Sequence, residues 1–224
     1  MRALIFDFDG LIIDTEVPCY QSWQEIYREY GGDLPFALWV RALGSSYEAA
    51  GFDPHGHLEQ LIGQPLDRAE VEARRARREL ELIEAQPVLP GVEAYISDAR
   101  RLGLKLGIAS SSPREWVDRH LRRVGLDRHF DVIRTSDDVG RVKPAPDLYL
   151  AALEGLGVRP DEAIALEDSP NGVTAAQEAG IFCVAVPNRL SERLPLEHAD
   201  LRLTSLADLP LEELIPLVEK NGRR

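Results

Sequence analysis

Cysteine is almost missing from this chain: among 224 residues there are two, Cys19 and Cys183. Thiols so few and so far apart outline neither a disulfide framework nor a zinc site, and a reducing compartment, the cytoplasm, is the expectation. Long apolar runs are lacking as well. No segment reaches the length of a membrane span, and Asp7 and Asp9 interrupt the N-terminal apolar run before it could serve as a secretory signal. Positive charge is in deficit, 26 Lys and Arg against 38 Asp and Glu, for a net charge of −12. Nucleic acid and anionic membranes are therefore poor partners, and an anionic substrate needs a local cation rather than the overall field. The five histidines show no metal-ligand spacing, and there is no internal repeat. What is present is ordinary soluble-protein composition, 44% hydrophobic and 29% charged, enough to build a core.

From Pro87 onward the pattern alternates between helix and strand. Helical spacing runs from Gly91 to Leu102, Pro113 to Val124, Pro146 to Leu156 and Gly172 to Ala179, with Gly just past the helix ends. Between them lie short apolar strands, Leu104–Ala109, Val132–Ile133, Ala163–Leu166 and Cys183–Val186, and Ala3–Phe6 is an earlier strand of the same kind. Repeated strand–helix units predict an α/β fold with a doubly wound parallel sheet and right-handed crossovers. The stretch from 15 to 86 breaks the rhythm with helical segments only: Pro18–Tyr30, Pro35–Leu43, His57–Ile62 and Asp67–Glu84. Two domains follow, an α/β core of residues 1–14 and 87–224 and an inserted helical domain of residues 15–86.

Ligands of open parallel sheets bind beyond the carboxyl ends of the strands. Those ends carry Asp7 and Asp9 after the first strand and Ser110, Ser111 and Ser112 after the second. Lys143 follows the third, and Glu167 and Asp168 follow the fourth. Two carboxylates two residues apart at a strand end share a side, and their repulsion asks for a hard divalent cation with oxygen ligands, Mg²⁺ before Zn²⁺. Each feature taken singly has a plainer reading. Asp-x-Asp is also a turn, a Ser triplet before Pro113 is also a helix cap, Lys143 is also a solvated loop lysine, and Glu167-Asp168 is also an acidic helix start. Together, a carboxylate pair, a hydroxyl, a lysine and a second carboxylate pair on one sheet edge are the parts phosphoryl transfer needs.

Four ordered stretches resemble the motifs of the haloacid dehalogenase superfamily: Asp7-Phe8-Asp9-Gly10-Leu11-Ile12-Ile13-Asp14-Thr15-Glu16, Ile108-Ala109-Ser110-Ser111-Ser112, Val142-Lys143-Pro144-Ala145-Pro146-Asp147 and Leu166-Glu167-Asp168-Ser169-Pro170-Asn171-Gly172. The resemblance implies a Rossmann-like core with an α-helical cap, of the subgroup of phosphoglycolate phosphatase and β-phosphoglucomutase. Asp at position 9 resembles the phosphatase and phosphomutase branch. By the same resemblance Asp7 is the nucleophile that forms an aspartyl-phosphate, and Asp9 is the acid and base. Ser110 and the amide of Ser111 bind the phosphoryl oxygens, and Lys143 neutralises nucleophile and phosphate. Asp7, Asp168 and the Asp9 carbonyl hold Mg²⁺, and Glu167 ligates it directly or through water. The implied activity is Mg²⁺-dependent hydrolysis of a small phosphorylated metabolite by a monomer.

A phosphosugar mutase of the β-phosphoglucomutase kind is the alternative. Alignment of the cap puts Cys19 where those mutases carry histidine and Leu43 and Tyr47 around Gly44, leaving no cation for a second phosphate. The Gly44-Ser45-Ser46 loop and the arginines at 74, 75, 77 and 78 remain candidates for substrate binding, although such an arginine run also reads as a solvated helix face. A non-catalytic phospho-receiver or phosphate-binding module is the alternative of another class. The large helical insertion and Glu167-Asp168 argue against it.

Overall fold

The computed structural model describes residues 1–40 and 51–221. The chain divides into two compact units, Met1–Ile13 with Pro87–Arg224, and Asp14–Gln86.

The first unit is built on a six-stranded parallel sheet in the order β3-β2-β1-β4-β5-β6. Its strands are β1 (Ala3–Phe6), β2 (Lys105–Ala109), β3 (Val132–Arg134), β4 (Ala163–Glu167), β5 (Phe182–Ala185) and β6 (Leu201–Arg202). In β1 every residue is buried, as expected for a strand covered on both faces. The period of two divides the side chains between unlike faces. Leu4, Phe6, Leu106, Ile108, Ile164, Leu166 and Val184 form one apolar cluster with residues of α5 (Val92–Arg101), α6 (Arg114–Arg123) and α9 (Leu211–Asn221). Ala3, Ile5, Ala109, Ala163, Ala165, Cys183 and Ala185 form the other, under α7 (Asp147–Leu156) and α8 (Pro170–Glu178). Bulky aliphatics on one face and mainly alanines on the other set how closely each helix layer can approach.

The expected alternation is present with shifted edges. Pro113 and Pro146 stand just outside α6 and α7 as cap residues. Helix α8 begins two residues before Gly172, because the Ser169 hydroxyl accepts a hydrogen bond from the Gly172 amide at 3.2 Å and caps it. Two elements had no counterpart in the sequence reading, β6 and α9.

The second unit holds α1 (Glu16–Glu29), α2 (Phe36–Trp39), α3 (Pro54–Ile62) and α4 (Arg68–Glu84), with no strand among its described residues. Helix α1 packs along α4, and Trp23, Ile26, Tyr27, Val71 and Ile83 are buried. Asp67 caps α4 by accepting from the Glu70 amide at 3.0 Å. The expected helix Pro35–Leu43 is described only as far as α2 reaches, and Leu43, Gly44, Ser45 and Tyr47 lie outside the described residues. Among the described residues no helix is long and apolar enough to cross a membrane.

Candidate active site

The central strand β1 pairs with β2 on one side and β4 on the other, so Phe6 lies opposite both Ile108 and Leu166. The sheet order turns around at this point, which is where open α/β sheets form their crevices. The next residue, Asp7, donates its amide to the Leu166 carbonyl at 2.9 Å and is thereby fixed beside the end of β4. Glu167 is the last residue of β4, and Asp168 follows it. Oxygens of Asp7, Glu167 and Asp168 gather within 4.8 Å of one another.

Three carboxylates cannot share such a place without compensation, and Lys143 supplies part of it. Its Nζ lies 2.6 Å from Asp7 Oδ1 and 2.6 Å from Glu167 Oε1. The ammonium also stands over the Tyr149 ring, 5.3 Å from the centroid. Asp7, Lys143, Glu167 and Asp168 are 6%, 5%, 0% and 3% exposed, so these charges act on one another with little screening. Burial first, and the charge of Glu167 second, push the Asp7 carboxyl up to about 7 against the pull of Lys143. Burial opposes the charge on Lys143, yet Asp7 and Glu167 together outweigh it and hold the lysine protonated.

Two glycines make the crowding possible. Gly10 has φ +80°, and a Cβ there would come 2.5 Å from both Asp168 Oδ2 and Asn188 Nδ2. A Cβ on Gly172 would overlap the Glu167 carboxylate. Glu167 Oε1 accepts from the Tyr149 hydroxyl at 2.5 Å, and its Oε2 accepts from the Asp168 amide at 3.2 Å. Asn188 donates to Asp168 Oδ2 at 2.7 Å.

Asp9 lies apart from this group. Its Oδ2 accepts from Ser110 Oγ at 3.2 Å and Ser112 Oγ at 2.7 Å, and its Oδ1 accepts from Trp116 Nε1 at 2.9 Å. The sequence alone places both aspartates at one strand end facing one cation. The carboxylates in fact have different partners: β1 ends at Phe6, so the strand's two-residue alternation does not extend through Asp9, and the chain then turns at Gly10, whose amide bonds the Ile13 carbonyl at 2.8 Å. Ser110 is fully buried and also accepts from the Ser112 amide at 3.0 Å, while Ser111 Oγ is buried with no hydrogen-bond partner among the described residues.

Tyr149, Asn188 and Trp116 were not singled out from sequence. Tyr149 and Trp116 lie at helical positions that read as core, and Asn188 sits in a loop beyond β5. The only available signal was Asn188 following the fifth strand end, by the same rule that found the other four. Three of the four candidate arginines of α4 are engaged inside their own unit, and Arg77 is exposed. Arg78 Nε meets Glu25 at 2.7 Å, Arg75 meets Glu72 and Glu79 at 2.6 and 2.7 Å, and Arg74 pairs with Glu29. Cys19, partly exposed, has its sulfur 3.9 Å from Arg75 Nη1.

The donor set suits a hard cation, being all oxygen, buried and rich in negative charge. A parallel sheet with a buried acid cluster and a lysine at its turnaround point has the parts that phosphoryl chemistry uses, and the comparisons give the class and the family. Residues 1–180 match the family described as haloacid dehalogenase-like hydrolase. The chain belongs to that family. It is 48% identical over 215 residues to "Putative phosphatase YhcW" of Bacillus subtilis, covering 96% of each chain. It is 34% identical to "Phosphorylated carbohydrates phosphatase" of Thermotoga maritima, covering 81% of this chain and 82% of that protein. The fold matches the crystal structure of β-phosphoglucomutase from Clostridium difficile with a TM-score of 0.78 and 24% identity over the whole of both chains.

Proposed function

We propose that this enzyme is a Mg²⁺-dependent phosphomonoesterase acting through an aspartyl-phosphate on Asp7. The observation that carries the reading is the buried group of Asp7, Glu167 and Asp168 around Lys143. In the first step an Asp7 oxygen attacks phosphorus while the bond from phosphorus to the leaving oxygen breaks, and Asp9 gives that oxygen a proton. In the second, water attacks phosphorus, Asp9 takes its proton and the bond to Asp7 breaks. Phosphate and the alcohol are the products, and both aspartates return to their starting forms. Lys143 holds Asp7 in place and faces the incoming phosphoryl charge. Ser110 supplies its hydroxyl and Ser111 its amide as donors from the end of β2.

Asp7, Asp168 and the Asp9 carbonyl would hold Mg²⁺, which when bound offsets charge on the non-bridging phosphoryl oxygens. Glu167 is taken up by Lys143, Tyr149 and the Asp168 amide. Its place is therefore to seat the lysine and reach the metal through water. The substrate is a small phosphorylated metabolite of the sugar-phosphate kind, in keeping with the name of the Thermotoga maritima relative. The core supplies the same groups to any phosphomonoester, so selection belongs to the helical unit. We place the enzyme in the cytoplasm as a monomer. Purified protein should hydrolyse p-nitrophenyl phosphate with Mg²⁺ and lose that activity with excess chelator, returning on Mg²⁺ addition. Metal-independent turnover would refute the reading.

A further inference from the structure

We propose that Trp116 is a positioning residue for Asp9, assisted by Ser112; this rests on the reading of Asp9 as acid and base. The Asp9 carboxylate accepts from Ser110, Ser112 and Trp116 at 3.2, 2.7 and 2.9 Å. These donors differ in kind. A serine hydroxyl rotates and can turn to another acceptor, and Ser110 is already one of the groups a phosphoryl oxygen would use. The indole N–H is a single donor with a fixed direction and no acceptor role. Its ring stands in the first turn of α6, edge-on to the fully buried His120 at 4.4 Å between centroids. Trp116 is therefore the rigid member of the set, and its bond to Oδ1 leaves Oδ2 on the side of the two hydroxyls. Asp9 stands beyond the end of β1, just before the turn at Gly10, and these side chains of the β2–α6 segment orient its carboxyl group. When a phosphoryl oxygen draws Ser110 away, Trp116 and Ser112 keep the protonated Asp9 carboxyl from wandering and stabilise the carboxylate that forms as its proton passes to the leaving oxygen.

Phenyl phosphate and p-nitrophenyl phosphate separate this role from a merely structural one. They share shape near the phosphorus, but nitrophenolate leaves with little need of a proton and phenolate needs one. Trp116→Phe keeps the ring against His120 and removes the donor. The loss of one hydrogen bond to a charged group predicts about a tenfold fall in kcat/KM on phenyl phosphate. On p-nitrophenyl phosphate the fall should be under about threefold, with the melting temperature little changed. Ser112→Ala should show the same selective loss and Ser112→Thr should restore it. Equal losses on both substrates, or no loss in either variant, would overturn the assignment. The underlying reading fails separately: wild-type protein inactive on both esters with Mg²⁺, or Asp7→Asn near full activity, would remove the reaction itself.

Discussion

The two units of this molecule use the same ion-pair chemistry at different depths. In the α/β unit, Lys143 meets Asp7 and Glu167 with side-chain exposures of 3%, 9% and 0%. In the helical unit, Arg78 meets Glu25 with 43% and 31% exposed, and Arg68 meets Glu59 with 50% and 22% exposed. Water screens the second kind and takes most of their energy away. The buried set keeps its fields, at the cost of a large desolvation, and only a tightly arranged cation and hydrogen bonds offset that cost. The difference shows in the carboxyls: Asp7 is pushed up mainly by burial, whereas Glu25 is pulled down mainly by its hydrogen bond from Arg78. Arg75 lies between the two cases, with 9% of its side chain exposed, paired to Glu72 and Glu79 and placed 5.4 Å from the Trp23 ring centroid. Its surroundings are those of a helix–helix brace.

Removing the cation from the buried set should have the largest effect. Lys143→Met leaves Asp7 and Glu167 facing each other with no ammonium, and kcat/KM on p-nitrophenyl phosphate should fall by about 10³-fold, since a buried electrostatic partner of the transferring group is lost. Breaking a buried pair predicts a stability loss of about 3–5 kcal/mol, readable in urea melts. Unchanged stability would mean that the lysine is not the compensating charge. Gly172→Ala should do less. Its Cβ must displace the Glu167 carboxylate, and overpacking of this size costs about 1–3 kcal/mol, with turnover lower because the seat of Lys143 shifts. Wild-type activity there would show that α8 gives way freely. The smallest effect belongs to the exposed pairs: Arg78→Ala should leave the melting temperature within experimental error, and a marked drop would end the contrast between the units.

Much of this arrangement is written in the local sequence. Strands β1, β2, β4 and β5 are short apolar runs at the centre of the sheet, where burial on both faces demands such runs, and each is readable within a residue or two. Strand β6 is only Leu201–Arg202, paired on one side to β5, too short to carry a period. Helix α9 contains Pro216, which masks an otherwise amphipathic pattern. At the site, residues directly after strands were legible because the topology dictates where strand ends go. Tyr149, Trp116 and Asn188 were not. A tyrosine on α7 facing the sheet looks like any core aromatic, and only the folded structure shows its hydroxyl 2.5 Å from Glu167. The separation of Asp9 from Asp7 was hidden for the same reason. It depends on a turn and on three donors from the β2–α6 segment, about a hundred residues downstream.

The central claim, that Asp7 carries the phosphoryl group, is open to direct chemical capture. Enzyme turning over p-nitrophenyl phosphate with Mg²⁺ is quenched in acid, digested and read by mass spectrometry. The account predicts a peptide from the N-terminal strand bearing one phosphoryl group on Asp7, labile to hydroxylamine, abundant in wild type and absent from Asp7→Asn. Full Mg²⁺-dependent turnover with no phosphorylated Asp7 at any quench time, or with the phosphoryl group on another residue, would contradict it.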